Sequence, residues 1–166
     1  MFNRLGKYTT ESKLRRWAEN QIKKGMPRQK VCAEVMKKFD HSPPDPKDMG
    51  KMQKITEHNQ ACLSVEKAIM QEMIDRNTKA QKLEKSGKTE QAIELFELSV
   101  RDQFNGTFPY DRLMVIYRKL KRYEDAVRVC EAYIKNPYLG KGNKQGLAKY
   151  KEKLKKLKQQ AKKAQE

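Results

Sequence analysis

The chain has 166 residues, of which 38 are Lys or Arg and 21 are Asp or Glu, so its formal net charge is +17. Charged residues make up 36% and apolar residues 37% of the chain, against roughly 25% and 45–50% in an average globular domain. No apolar run approaches the roughly 20 residues of a membrane span, and alternating β-branched and aromatic residues are scarce, so the sequence predicts an all-α protein with a thin core.

The N-terminal part is predicted to be a basic helical hairpin. Apolar residues recur at helical spacing over 11–24, which indicates a first helix. A glycine ends it, and Pro27 suits the first turn of a second helix that runs to about Phe39. Three prolines in the stretch 43–46 prevent helix formation there and predict a stiff linker.

Helical structure is predicted over 47–86, and the sequence leaves open whether this stretch is one continuous helix. Apolar residues recur over 52–73 at alternating intervals of three and four, which suits a coiled coil or a helix packed in a bundle. Asn59 and Glu66 place polar side chains within this stripe. A bundle helix is therefore the favoured interpretation, and the coiled coil is the alternative.

A sequence pattern recurs after 34 residues. QAIELFELS at 91–99 is followed by DAVRVCEAY at 125–133, so that Ala92 aligns with Ala126. A small side chain at these positions lets two crossing helices approach closely. A period of 34 with two helices in each unit is the signature of the tetratricopeptide repeat (TPR), and residues 73–140 resemble that family.

The resemblance implies a short TPR-like α-solenoid flanked by basic helices. The predicted boundaries are 1–42 for the N-terminal helical segment, 43–46 for the linker, 47–140 for the helical domain with repeats 73–106 and 107–140, and 141–166 for a basic amphipathic capping helix. Among the departures from the family pattern, Arg76 replaces an aromatic residue and Met114 replaces a small one.

The resemblance also implies a non-enzymatic scaffold that binds a protein or peptide in a groove lined by the first helix of each repeat. The matching positions are Asn77, Gln81, Glu84, Lys85, Phe108, Asp111, Val115, Arg118 and Lys119. Some members bind a C-terminal carboxylate through Lys and Asn, but Asp111 and Val115 occupy the matching places, so chaperone-tail binding is not expected. The competing interpretation is that these residues only face solvent.

The distribution of charge indicates an alternative function. Residues 1–47 have a net charge of +7, residues 48–140 of +2 and residues 141–166 of +8. Basic ends of this kind bind nucleic acids or acidic partners, and they also occur as plain solvated surface. The predicted contacts are Arg15, Arg16, Lys23, Lys24, Arg28, Lys30, Lys151, Lys155 and Lys158.

No enzyme, cofactor or metal site is predicted. The chain has no glycine-rich phosphate loop and no nucleophile motif, and its two histidines are isolated. His58 and Cys62 are four residues apart and, with Cys32 and His41, offer four metal ligands. Cys62 falls on the apolar stripe, however, so a buried cysteine is the favoured interpretation. An enzyme with an unrecognised site is the third and least favoured function.

The compartment is predicted from the cysteines and the N-terminus. An odd count of three cysteines and a start without an apolar stretch predict reduced thiols in the cytoplasm. The expected partner is a protein or peptide, with nucleic acid as the alternative. The sequence does not specify an oligomeric state.

Overall fold

The computed structural model describes residues 9–43, 45–139 and 144–164. These residues form seven α-helices and no strand, which confirms the predicted all-α class. The helices are α1 (Thr10–Lys23), α2 (Arg28–Met36), α3 (Met49–Lys85), α4 (Thr89–Arg101), α5 (Phe108–Lys119), α6 (Tyr123–Ile134) and α7 (Lys144–Lys163). The chain divides into two compact units, Met1–Glu72 (unit 1) and Met73–Glu166 (unit 2), so α3 contributes to both.

The helix ends lie within a few residues of the predicted ones. The stretch over 47–86, whose continuity the sequence left open, is the single helix α3, which runs unbroken for 37 residues. The second helix ends at Met36, three residues before the predicted end. The proline-rich stretch lies between α2 and α3, and its Pro44 lies outside the described residues, as do residues 141–143 at the start of the predicted capping segment.

In unit 1, α1 and α2 form a hairpin beside the first half of α3. Thr9 caps α1, since its hydroxyl oxygen accepts a hydrogen bond of 3.2 Å from the Ser12 N–H. Gly25 has φ +89° and makes the turn to α2. The Ser64 hydroxyl of α3 donates a 2.9 Å hydrogen bond to Glu11 of α1, which joins these two helices.

Asn59, a polar residue in the apolar stripe of α3, forms tertiary hydrogen bonds. Its side-chain carbonyl accepts a 2.8 Å hydrogen bond from the Asp40 N–H, and its amide nitrogen donates a 2.9 Å bond to the Asp40 carbonyl. The side chain thereby satisfies both backbone groups of a residue that follows α2. The polar position is a tertiary attachment point for the chain after the hairpin.

In unit 2, α4 packs on α5, α5 on α6 and α6 on α7. Ala92 and Ala126 are completely buried, as the 34-residue alignment predicts. Phe96 and Cys130, each four residues further on, are also completely buried. The aligned positions therefore occupy the core of this unit.

Two turns of unit 2 close in the same way, 34 residues apart. The Lys88 N–H donates to the Leu83 carbonyl (3.0 Å) after α3, and the Arg122 N–H donates to the Tyr117 carbonyl (2.8 Å) after α5. A bond of this span satisfies a carbonyl that the helix end would otherwise leave unpaired. The sequence repeat is thus accompanied by a repeat of backbone geometry.

The last helix covers apolar surface of α6. The Tyr150 ring of α7 stacks on the Tyr133 ring of α6 with 3.9 Å between centroids. The Cys130 thiol donates to the Tyr150 carbonyl over 3.4 Å. Leu157 is 4% exposed. The apolar face of the C-terminal helix is therefore buried in part, since Leu154 is only half-buried.

Candidate functional site

All nine predicted groove residues lie on α3 or α5 of unit 2, but Asn77 does not face outward. It is 5% exposed, and its side-chain carbonyl accepts a 2.7 Å hydrogen bond from the Ser99 hydroxyl of α4. The prediction that Asn77 lines a groove is wrong, because this buried polar pair holds the residue against the neighbouring helix.

Glu84 forms an ion pair that stabilises the fold. The Arg112 guanidinium of α5 donates a 2.9 Å hydrogen bond to Glu84 and a second bond to its other carboxylate oxygen. The paired carboxylate raises the pKa of Arg112. This bidentate ion pair holds the second half of α3 beside α5. Near it, Gln81 is half-buried and Lys85 is exposed.

The predicted groove residues of α5 have unequal access to solvent. The Phe108 side chain is 36% exposed and meets Phe96 edge to face, with 5.9 Å between centroids. Val115 is half-buried, whereas Arg118 and Lys119 are exposed. The α5 surface therefore offers both apolar and cationic groups to a partner.

Three of the predicted residues line a cleft between α5 and α7. Its volume is about 420 Å³, within the usual range for ligand sites. The cleft is lined by Asp111, Met114, Val115, Arg118, Lys153, Lys156, Leu157 and Gln160. We name it the α5–α7 cleft.

One ion pair spans the α5–α7 cleft. The Lys153 ammonium of α7 donates a 2.6 Å hydrogen bond to the Asp111 carboxylate of α5, and it lies 4.6 Å from the centroid of the Tyr150 ring. Burial, with a further contribution from the nearby Asp111 charge, raises the pKa of the Tyr150 hydroxyl. Lys153 and Asp111 therefore neutralise each other and hold the two helices together.

Two other cations line the cleft. Lys156 pairs over 2.7 Å with Glu152 of its own helix, and both side chains are about two-thirds exposed or more, at 71% and 67%. Arg118 makes no ion pair with any residue that the structure describes. The rim of the cleft is therefore positively charged.

Sequence reasoning missed the α7 side of this cleft. Lys153, Lys156, Leu157 and Gln160 recur at intervals of three, one and three, which places them on one helical face. The sequence contains this pattern, but it does not show that this face of α7 lies against α5. Met114, a departure from the family pattern, contributes to the floor of the cleft and is 4% exposed.

The predicted nucleic-acid contacts are divided between the units, with six in unit 1 and three on α7. Three of the nine have a carboxylate partner: Arg15 pairs with Glu11, Arg28 with Glu72 and Lys158 with Glu131. The other six are exposed: Arg16, Lys23, Lys24, Lys30, Lys151 and Lys155. Part of the basic charge is thus neutralised within each unit.

His58, one of the four residues that the sequence offers as metal ligands, contacts a backbone carbonyl. His58 Nε2 lies 2.7 Å from the Lys38 carbonyl oxygen and 3.7 Å from the sulfur of Cys62, which is buried. Burial raises the pKa of Cys62 and raises that of Cys32 to about 12. Across residues 9–43, 45–139 and 144–164, no group of three or more His, Cys, Asp or Glu side chains is placed to hold a metal ion.

None of the helices in the described part of the chain combines the length and apolar character needed to cross a membrane.

The resemblance to TPR proteins has no counterpart in the comparisons with known proteins. No protein-family model, curated protein or solved structure significantly matches this chain.

Proposed function

We propose that this protein is a non-enzymatic binding module whose unit 2 is a short TPR-like array with α7 as its capping helix. The 34-residue recurrence of buried alanines, Ala92 and Ala126, supports the repeat. So does the recurrence of the same closing hydrogen bond after α3 and after α5. Two repeats need a cap to cover their apolar end, and the burial of Tyr150 on Tyr133 is what a cap requires.

The α5–α7 cleft is the observation that supports a binding role best. Its floor is apolar, with Met114 and Leu157 each 4% exposed, and its rim has cations and an amide. Sites for ligands typically combine an apolar lining with a few polar groups that set orientation. A protein or peptide segment bound here would contact Val115 and Arg118 of the predicted groove.

Co-purification from a native lysate tests this function. Tagged wild-type protein should capture a partner that is retained after nuclease treatment. Val115→Glu should abolish capture, because it puts a carboxylate into the cleft. Gln159→Glu, which adds the same charge at an exposed position outside the cleft, should leave capture intact. Equal capture by wild type and Val115→Glu would contradict the proposal.

The second candidate function is nucleic-acid or acidic-partner binding through the basic helices. Lys151 and Lys155 are one turn apart on α7, and both are exposed without an ion pair to any described residue. Arg16 and Lys23 have the same character on α1. These are the groups that this function would use.

Salt dependence tests the second candidate. With about four to six phosphate contacts, the logarithm of affinity for duplex DNA should fall with the logarithm of salt at a slope of about −4 to −5. Replacing Arg16, Lys23 and Lys24 with Gln should make that slope shallower, whereas Gln81→Ala should not change it. Absence of binding even at low salt would exclude this function.

A further inference from the structure

We infer that the α5–α7 cleft binds an acidic peptide segment that inserts one leucine-sized apolar side chain between α5 and α7. This inference rests on the proposed function, since it names the chemistry of the partner for that same site. It commits the cleft to one class of ligand. Its support comes from the floor, the charges and the composition of the lining.

The floor favours an aliphatic side chain. Met114 and Leu157 come from the two helices and are each 4% exposed, and the half-buried Val115 lies beside them. An apolar group that inserts between them is transferred from water into contact with apolar side chains, which is favourable. The thioether chain of Met114 adapts its shape to the inserted group.

The charges favour a carboxylate beside that side chain. Asp111 is already neutralised by the 2.6 Å bond from Lys153, so its repulsion of an incoming anion is reduced. Among the described residues, Lys156 pairs only with an exposed carboxylate of its own helix, and exposed pairs of this kind contribute little stability. Arg118 has no ion-pair partner among the described residues. Arg118 and Lys156 are therefore the cations available to an acidic ligand.

The composition of the lining favours a peptide over a nucleic acid. Single-stranded nucleic acids are held by aromatic side chains on which bases stack, and the α5–α7 cleft has no aromatic residue in its lining. A volume of about 420 Å³ accommodates an apolar side chain together with neighbouring backbone and carboxylate groups. A peptide that combines Leu with Asp or Glu supplies all of these parts.

Fluorescence anisotropy with three labelled peptides tests the inference. The first peptide has a central leucine between glutamates and aspartates, the second replaces that leucine with serine, and the third replaces all the acids with glutamine and asparagine. The binding variant is Arg118→Gln with Lys156→Gln. Its matched control is Lys79→Gln with Lys162→Gln, which removes the same charge from exposed positions of unit 2 outside the cleft. Circular dichroism verifies that each variant retains its helices.

The first peptide should bind wild-type protein most tightly. Loss of two solvent-accessible charge contacts should weaken it about fivefold or more in the Arg118/Lys156 variant. The Lys79/Lys162 variant should stay within about twofold of wild type, because salt screens charges that do not touch the ligand. Both the serine peptide and the uncharged peptide should bind more weakly than the first.

Four results would overturn the inference. Equal weakening in the two double variants would mean diffuse attraction, and a single-stranded oligonucleotide that displaces the first peptide at equal charge would mean a polyanion surface. If the uncharged peptide binds as well as the first, and Val115→Glu abolishes its binding, the acidic class is wrong while the proposed function stands. If no peptide binds, the acidic-peptide inference fails, and the lysate experiment decides separately whether the cleft has a protein partner.

Discussion

Lys121 and Gly87 lie 34 residues apart, and both adopt the left-handed backbone conformation, with φ +59° and φ +79°. Each residue sits in the turn that follows the first helix of a predicted repeat. Glycine adopts this conformation without steric cost, whereas a residue with a Cβ atom is strained by about 1–2 kcal/mol. The two turns therefore have one geometry but unequal local energies.

Lys121→Gly should stabilise the protein. Relief of backbone strain exceeds the added flexibility of the unfolded chain, so we expect the free energy of unfolding to rise by about 0.5–1 kcal/mol. The matched reverse change, Gly87→Ala, should lower it by a similar amount, although nothing lies within 4 Å of the added Cβ. Urea denaturation measures both, and a destabilising Lys121→Gly would contradict the shared geometry.

Ala126→Leu should destabilise unit 2. Ala126 is completely buried, and three added carbon atoms overpack a filled core by roughly 1–3 kcal/mol. Ala148→Leu, at an exposed position of α7, is the control and should change the free energy of unfolding by less than about 0.5 kcal/mol. An equally small effect at Ala126 would remove the packing argument for the repeat alignment.

Deletion of residues 144–166 should expose the apolar side of α6. Tyr133 and Cys130 would lose the cover that Tyr150 gives them. We expect a lower melting temperature or aggregation, measured by calorimetry and light scattering. Removal of 164–166 alone should have little effect. A soluble protein with an unchanged melting temperature after the larger deletion would make α7 a tether instead of a cap.

The ion pair between Glu131 of α6 and Lys158 of α7 should make stability depend on pH. The 2.8 Å hydrogen bond from Lys158 lowers the pKa of Glu131 below its ordinary value of 4.5. A lowered pKa in the folded state contributes stability above the unfolded value, and this contribution is lost as pH falls through the folded value. Glu131→Gln should therefore melt earlier than wild type at neutral pH, with a difference that shrinks as pH falls below 4.5 and through the lowered folded value.

The control for this pH effect is Glu94→Gln, which removes an exposed carboxylate that has no ion pair with any described residue. It should melt like wild type across the whole range. A pH-independent difference for Glu131→Gln would show that its effect comes from packing or helix propensity and not from the charge.

Most of the helical stretches of this protein, and many of their buried positions, can be predicted from the pattern of residue types. Apolar residues at helical spacing predicted helical structure where α3 lies, because the spacing of buried side chains follows from the helix repeat. The 34-residue recurrence predicted that Ala92 and Ala126 would be buried, and both are. These features are local, or repeat at a fixed distance along the chain, so the pattern of residue types is sufficient.

Which polar residues at the candidate site are exposed, and which of them keep a net charge, depends on how the helices pack against one another. Asn77 was expected to face outward, but Ser99, 22 residues further along the chain, binds it in the core. Asp111 was expected in an open groove, but Lys153, 42 residues away, neutralises it across the α5–α7 cleft. A helical period tells which residues share a face, whereas the exposure and charge of that face depend on the neighbouring helix, and the period does not contain that information.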